Sequence, residues 1–208
     1  MSELEFFTNP QSRGRIVHWM LEEVGVPYTT RWLQYGPEMK SDSYRAINPM
    51  GKVPALRHGD VVVTEAAAIC AYLADAFADK GLAPPPGHPT RASYYRWMFF
   101  AAGPLESAVV AKSMGWEVPS GRNAMVGFGS YCDTINALEL ALQPGPYICG
   151  DQFTAADVYV GSSLGWGLQF GTIEKRPAFE AYVGRINARA AAHRANQLNE
   201  AQLQATKP

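Results

Sequence analysis

Ten residues, Gly81–Thr90, read GLAPPPGHPT and carry four prolines and two glycines. Proline fixes φ and has no amide hydrogen to give to a helix or a ladder, so no regular element runs through this stretch. The chain is therefore read as two blocks with different periodicities. The first alternates between strand and helix, and the second is helical throughout.

In the first block, residues 4–7 form a short apolar strand candidate. From Ser12 the period becomes helical, with Ile16, Met20 and Val24 on one stripe and Val17 and Leu21 beside it. Gly25 ends that helix, because glycine tolerates the positive φ of a helix terminus. Residues 27–33, PYTTRWL, are β-branched and aromatic and predict a second strand, parallel to the first across the helical crossover. Residues 34–47 have no clean period and predict a loop with a short irregular helix. Strands at 53–57 and 61–64 follow, joined by a tight turn at His58-Gly59-Asp60. The helix from Glu65 carries the stripe Ala66, Ile69, Cys70, Leu73, Ala74 and Phe77. The order βαβ, loop, ββα describes a small mixed sheet flanked by helices.

Beyond the proline stretch, helical periods cover 91–113, about 122–142, 154–169 and 178–192, and the polar tail after Ala192 is expected to fray or pack loosely. Tyr94, Tyr95, Trp97, Phe99 and Phe100 cover more than one helical face, so some of them point away from a core. Apolar residues make up 47% of the chain, enough for a real core, and the net charge of −1 supplies no basic field for nucleic acid. No apolar run approaches the roughly 18 residues of a membrane span. MSELEFF has neither the basic start nor the apolar stretch of an export signal. Cys70, Cys132 and Cys149 lack CxxC spacing and suit a reducing cytoplasm. His18, His58, His88 and His193 are too scattered to suggest a metal site.

Four stretches carry information. Thr8-Asn9-Pro10 breaks the chain polar-side-out between the first strand and first helix. Val53-Pro54 admits two readings: an edge-strand proline, or a cis bond that leaves the Val53 backbone free to pair with an extended peptide. Thr64-Glu65-Ala66 begins a helix whose unpaired N–H groups suit a carboxylate, with Glu65 available to an ammonium; equally, Thr64 and Glu65 simply cap the helix. In DQFTAADV (151–158), Thr154 and Asp157 form a capping box with Asp in place of Glu, and Phe153 is placed to staple onto Val158, so Asp157 receives a folding role rather than a catalytic one.

Three of the motifs, NPMGKVPAL (48–56), TEAAAICAYLAD (64–75) and GDQFTAADV (150–158), resemble, in this order and spacing, the cytosolic glutathione S-transferase family, in a bacterial, theta-like or unclassified form. The resemblance spans essentially the whole chain. It implies an α/β thioredoxin-like N-terminal domain of order βαβαββα at 1–79, a linker at 80–90 and an all-α C-terminal domain at 91–208. It also implies a cytoplasmic homodimer. Glutathione would be the co-substrate, with no other cofactor and no metal, and its thiolate would attack a small apolar electrophile in a cleft between the domains. By the same resemblance Pro54 is cis and the Val53 backbone meets the cysteinyl part of glutathione. Glu65 and Ala66 hold the γ-glutamyl end, Ala66 through its backbone N–H alone because the family's frequent hydroxyl is missing there. Lys40 and Lys52 match positions that meet the glycine carboxylate.

The catalytic address is unusual. A free thiol ionises near pH 8.5, so the enzyme must stabilise the thiolate. Aligned on Arg13, Asn9 stands where serine-type members have their hydroxyl. An amide offers two N–H donors, and a donor aimed at the charged form lowers its pKa, with the helix start and Arg13 or Arg15 adding positive potential. Thr8 is the alternative donor, and Ser12 is either a third or a plain helix cap. Two rivals share the fold. One is a glutathione-binding protein without turnover. The other is a glutathione-dependent peroxidase or thiol oxidoreductase, against which the absence of cysteine in residues 1–20 argues.

Overall fold

The computed structural model describes residues 3–206. The chain divides into two compact units: residues up to Lys80 together with those from Ala188 onward, and Gly81–Asn187.

The first unit is built on a four-stranded sheet of order β2-β1-β3-β4. Its strands are β1 (Leu4–Thr8), β2 (Thr29–Trp32), β3 (Ala55–His58) and β4 (Val61–Thr64). β1 and β2 are parallel, as the crossover helix α1 (Gly14–Val24) requires, and β3 and β4 add antiparallel. Gly25 ends α1 at φ 69°, its N–H bonded to the Leu21 carbonyl. The irregular stretch contains a 3-10 turn at Glu38–Lys40 and the one-turn helix α2 (Asp42–Arg45), and α3 (Ala66–Ala76) follows β4.

Side chains alternate across the sheet. On one face Phe6 meets the His18 ring edge-on, and α1 packs beside α3. On the other, Phe7 and Ala55 pack with Met39 and Tyr44 around the α2 segment. Gly14 lets α1 sit down on β1, since a Cβ there would lie 1.8 Å from the Thr8 hydroxyl oxygen.

The polar tail does not fray. Residues 190–205 form α9 (Ala190–Ala205), which packs along α1 through buried Ala191, Ala192, Ala195 and Asn199. Arg189 grips Glu23 with two bonds of 2.7 and 2.8 Å, Arg194 pairs with Glu22 at 2.9 Å, and Arg15 pairs with Glu200. The sequence reading placed residues 91–208 in one helical domain, whereas the last helix groups with the first unit. Small alanines and long-range ion pairs, not an apolar stripe, dock it.

The second unit holds α4 (Thr90–Phe100), a π segment (Ala101–Leu105) containing Pro104, α5 (Glu106–Ser113), α6 (Tyr131–Ala141), α7 (Ala155–Phe170) and α8 (Pro177–Asn187). The helix expected from about 122 begins only at Tyr131. Gly121 and Gly129 take positive φ before it, and Ser130 caps it by accepting from the Asp133 N–H. The helix expected over 178–192 likewise stops at Asn187, and a separate helix starts at Ala190. α7 is the buried axis of this unit. Its capping box forms as expected, and the fully buried Asp157 also accepts from the Ile148 N–H and the Tyr182 hydroxyl, both at 2.8 Å.

Candidate glutathione site at one end of the sheet

Strand register brings the sequence motifs together. Phe7 pairs with Ala55, Ala55 with Thr64, and Thr8 with Trp32. The β1–α1 turn, the approach to β3, the start of α3 and the exit of β2 therefore share one edge of the sheet. A hollow of about 400 Å³ lined by Leu4, Val26, Pro27, Tyr28 and Phe77 lies at the opposite end, by the starts of β1 and β2, and takes no part in this site.

In the β1–α1 turn the candidate donors are mostly engaged within the turn or with the exit of β2. The Asn9 side chain is buried. Its Nδ2 donates to the Leu33 carbonyl at 2.8 Å, and its Oδ1 accepts the Gln11 N–H at 2.9 Å. The amide thus folds the turn over itself and ties it to the exit of β2, leaving one amide hydrogen for a ligand. Thr8 is fully buried, its hydroxyl tucked beneath Gly14. The Ser12 hydroxyl gives its hydrogen to the Asn9 carbonyl at 2.7 Å and accepts the Gly14 N–H at 3.0 Å, a helix-entry role. Arg15 Nε holds the Pro10 carbonyl at 2.6 Å.

The Val53–Pro54 bond is cis, and Val53 precedes the β3 ladder, which begins at Ala55. Two residues that sequence reasoning passed over shape this loop. The Tyr44 hydroxyl and Asn48 Nδ2 both donate to the Lys52 carbonyl at 2.7 Å, fixing the peptide that leads into Val53. Burial pushes the Tyr44 hydroxyl up to about 12, so it remains a donor. Asn48 opens the quoted NPMGKVPAL motif, so its signal was in view; Tyr44 gave none. Lys40 Nζ spends two hydrogens on the carbonyls of Met50 at 3.0 Å and Gly51 at 2.8 Å, which leaves one outward. Lys52 is exposed.

Glu65 is the non-glycine residue at positive φ among the described residues, at φ 68° and ψ 122°. Such a conformation costs about 1–3 kcal/mol and persists where the surroundings impose it. Neither Thr64 nor Glu65 caps α3 with its side chain, and the exposed Glu65 carboxylate sits beside a helix start led by Ala66. The plain capping reading is thus not what the side chains do.

Known proteins resemble this chain in sequence and fold. The profile described as "Glutathione S-transferase, N-terminal domain" matches residues 12–76. Glutathione S-transferase GstA of Escherichia coli O157:H7 is 28% identical over 174 residues, covering 78% of this chain and 82% of that protein. Human glutathione S-transferase theta-2 is 27% identical over 202 residues, covering 89% and 81%. Among solved structures, a glutathione transferase from Methylococcus capsulatus superposes with TM-score 0.79 at 27% identity, covering 95% of this chain and 99% of that one. A sphingomonad glutathione S-transferase complexed with glutathione gives 0.75 at 26% identity, covering 94% and 98%. With matching motifs gathered at one end of the sheet, residues 12–76 match the N-terminal domain of the glutathione S-transferase family, and the chain is similar to glutathione S-transferases in sequence and fold over most of its length.

Proposed function

We propose that the protein binds glutathione along this sheet edge, ionises its thiol and conjugates it to a small apolar electrophile. The observation that carries the reading is the convergence at one edge of a cis Val53–Pro54, a strained Glu65 at an uncapped helix start and the β1–α1 turn. Val53 presents its N–H and C=O to the cysteinyl residue as an added strand would. The Ala66 N–H and the first turn of α3 hold the γ-glutamyl carboxylate, and Glu65 holds its ammonium. The outward hydrogen of Lys40, and Lys52, meet the glycine carboxylate.

The sulfur then lies over the start of α1. Of Asn9, Thr8 and Ser12, only Asn9 keeps a donor, its second amide hydrogen, for the thiolate; Thr8 and Ser12 shape the turn. The reaction needs no cofactor beyond glutathione and no metal. Among the described residues no helix is long and apolar enough to cross a membrane, and cytoplasmic residence accords with the cysteine pattern. Val61 and Val62 on the edge strand β4 remain exposed, at 48% and 43%, and support a homodimer.

A second reading has one observation in its favour. The heavy internal use of the turn's polar groups suits glutathione binding without turnover. A thiol oxidoreductase would need a cysteine thiolate at the turn, and residues 1–20 hold none. The experiment is calorimetric titration with glutathione, followed by turnover with a generic aromatic electrophile. Binding with conjugation supports the proposal, binding without it supports the second reading, and no binding removes both.

A further inference from the structure

We infer that Tyr35, on the loop leaving β2, is a catalytic residue that donates its phenolic hydrogen to the glutathione sulfur; the inference rests on the site reading above. Asn9 draws the end of β2 against the β1–α1 turn through the Leu33 carbonyl, and Tyr35 follows two residues later. The Tyr35 hydroxyl reaches back across the turn and donates to the Gln11 carbonyl at 3.3 Å, while 57% of the residue remains exposed. A bond at 3.3 Å is long for an O–H donor, so little is lost in exchanging it for a thiolate. Thr8 is buried and the Ser12 hydrogen is spent, so Tyr35 is the hydroxyl at this turn that is both exposed and weakly engaged.

Other charged groups bear on the same spot. Arg13 and Arg15 stand at the start of α1, Arg31 on β2, Glu38 and Lys40 on the following turn, and Glu200 on α9 against Arg15. Arg15 is held by Pro10 and Glu200, Arg31 by Glu5, and Lys40 by two carbonyls. None of these supplies a neutral donor. In the proposed step the thiol proton leaves to water, Tyr35 keeps its own proton and shares it with the sulfur anion, and the sulfur lone pair forms the bond to carbon as the leaving group departs with its electron pair.

The test is Tyr35→Phe, with three readouts: glutathione affinity by calorimetry, the pKa of the bound thiol from thiolate ultraviolet absorbance, and kcat/KM against pH. An exposed Tyr-to-Phe change leaves the fold intact, and a matching melting curve checks that. The expected result is affinity within about twofold of wild type and a bound-thiol pKa raised by about one unit, which lowers kcat/KM about tenfold below that pKa and converges with wild type above it. An unchanged thiol pKa in the variant, with glutathione bound normally, overturns the role of Tyr35 and leaves the site reading standing. A rise seen in Gln11→Ala but not in Tyr35→Phe gives the role to Gln11 instead. Failure of the wild-type protein to bind glutathione overturns the site reading and this inference together.

Discussion

Replacing Asn9 with alanine separates the structural job of this amide from the catalytic one proposed for it. The side chain makes two hydrogen bonds, to the Leu33 carbonyl and from the Gln11 N–H. The half-buried Leu33 carbonyl would lose its side-chain donor at a cost of about 1–2 kcal/mol, and the more accessible Gln11 N–H would recover part of its loss from water, about 0.5–1 kcal/mol. The sum, about 1.5–3 kcal/mol, lowers the melting temperature by about 3–12 °C in a chain of this size. With the remaining amide hydrogen acting on the sulfur as proposed, turnover per folded molecule falls by about tenfold, one pKa unit of thiolate stabilisation. Circular-dichroism melting and electrophile turnover, measured on the same preparation well below the melting point, read the two effects separately. Asn9→Asp should melt at least as early at neutral pH, because it sets a carboxylate against the Leu33 carbonyl. An Asn9→Ala protein that melts with wild type yet loses turnover would refute the reasoning, since the amide would then have no structural work.

Three further outcomes are expected. Glu65→Gly should relieve the positive-φ strain and raise the melting temperature by a few degrees, about 1–2 kcal/mol, while weakening glutathione affinity at least tenfold through loss of the ammonium partner; calorimetry and melting decide. His18 is buried among the rings of Phe6, Tyr28 and Trp32, and this burial pushes its pKa down despite Asn199 and Glu22 nearby, with Arg15 adding to the fall. Neither ring nitrogen has a well-formed hydrogen bond, so the Asn199 amide favours the proton without matching the burial cost. The unfolded chain then binds the proton more readily than the folded one. Stability is level above pH 6.5 and falls as pH drops below it, and His18→Phe should flatten that slope in a melting series. Asp157→Asn replaces one of two acceptor oxygens that receive Ile148, Thr154 and Tyr182, turning a donor toward donors; a loss of about 2–4 kcal/mol by denaturant unfolding is expected.

What could be read from the sequence was local. The βαβ crossover, the Gly25 terminus, the β3–β4 turn and the capping box at Thr154–Asp157 are each specified by residues within a few positions of one another. The docking of α9 was not legible, because it depends on Arg189 meeting Glu23 and Arg194 meeting Glu22 across more than 160 residues. The π segment at 101–105 was not expected, although Pro104 inside the helical stretch 91–113 is a signal for a local break in the helix. At the site, Val53, Pro54, Glu65 and Ala66 were legible because they cluster in short motifs. The employment of Asn9 was not, since its partner Leu33 lies 24 residues on, and the same fold-back is what brings Tyr35 to the turn.

A crystal structure with glutathione bound tests the central claim most directly. The account predicts the γ-glutamyl end at Glu65 and Ala66, the cysteinyl main chain paired with Val53, and the sulfur within about 3.5 Å of a donor on the Asn9 amide or Tyr35. Glutathione bound elsewhere, or bound here with its sulfur turned away from the β1–α1 turn, would contradict it.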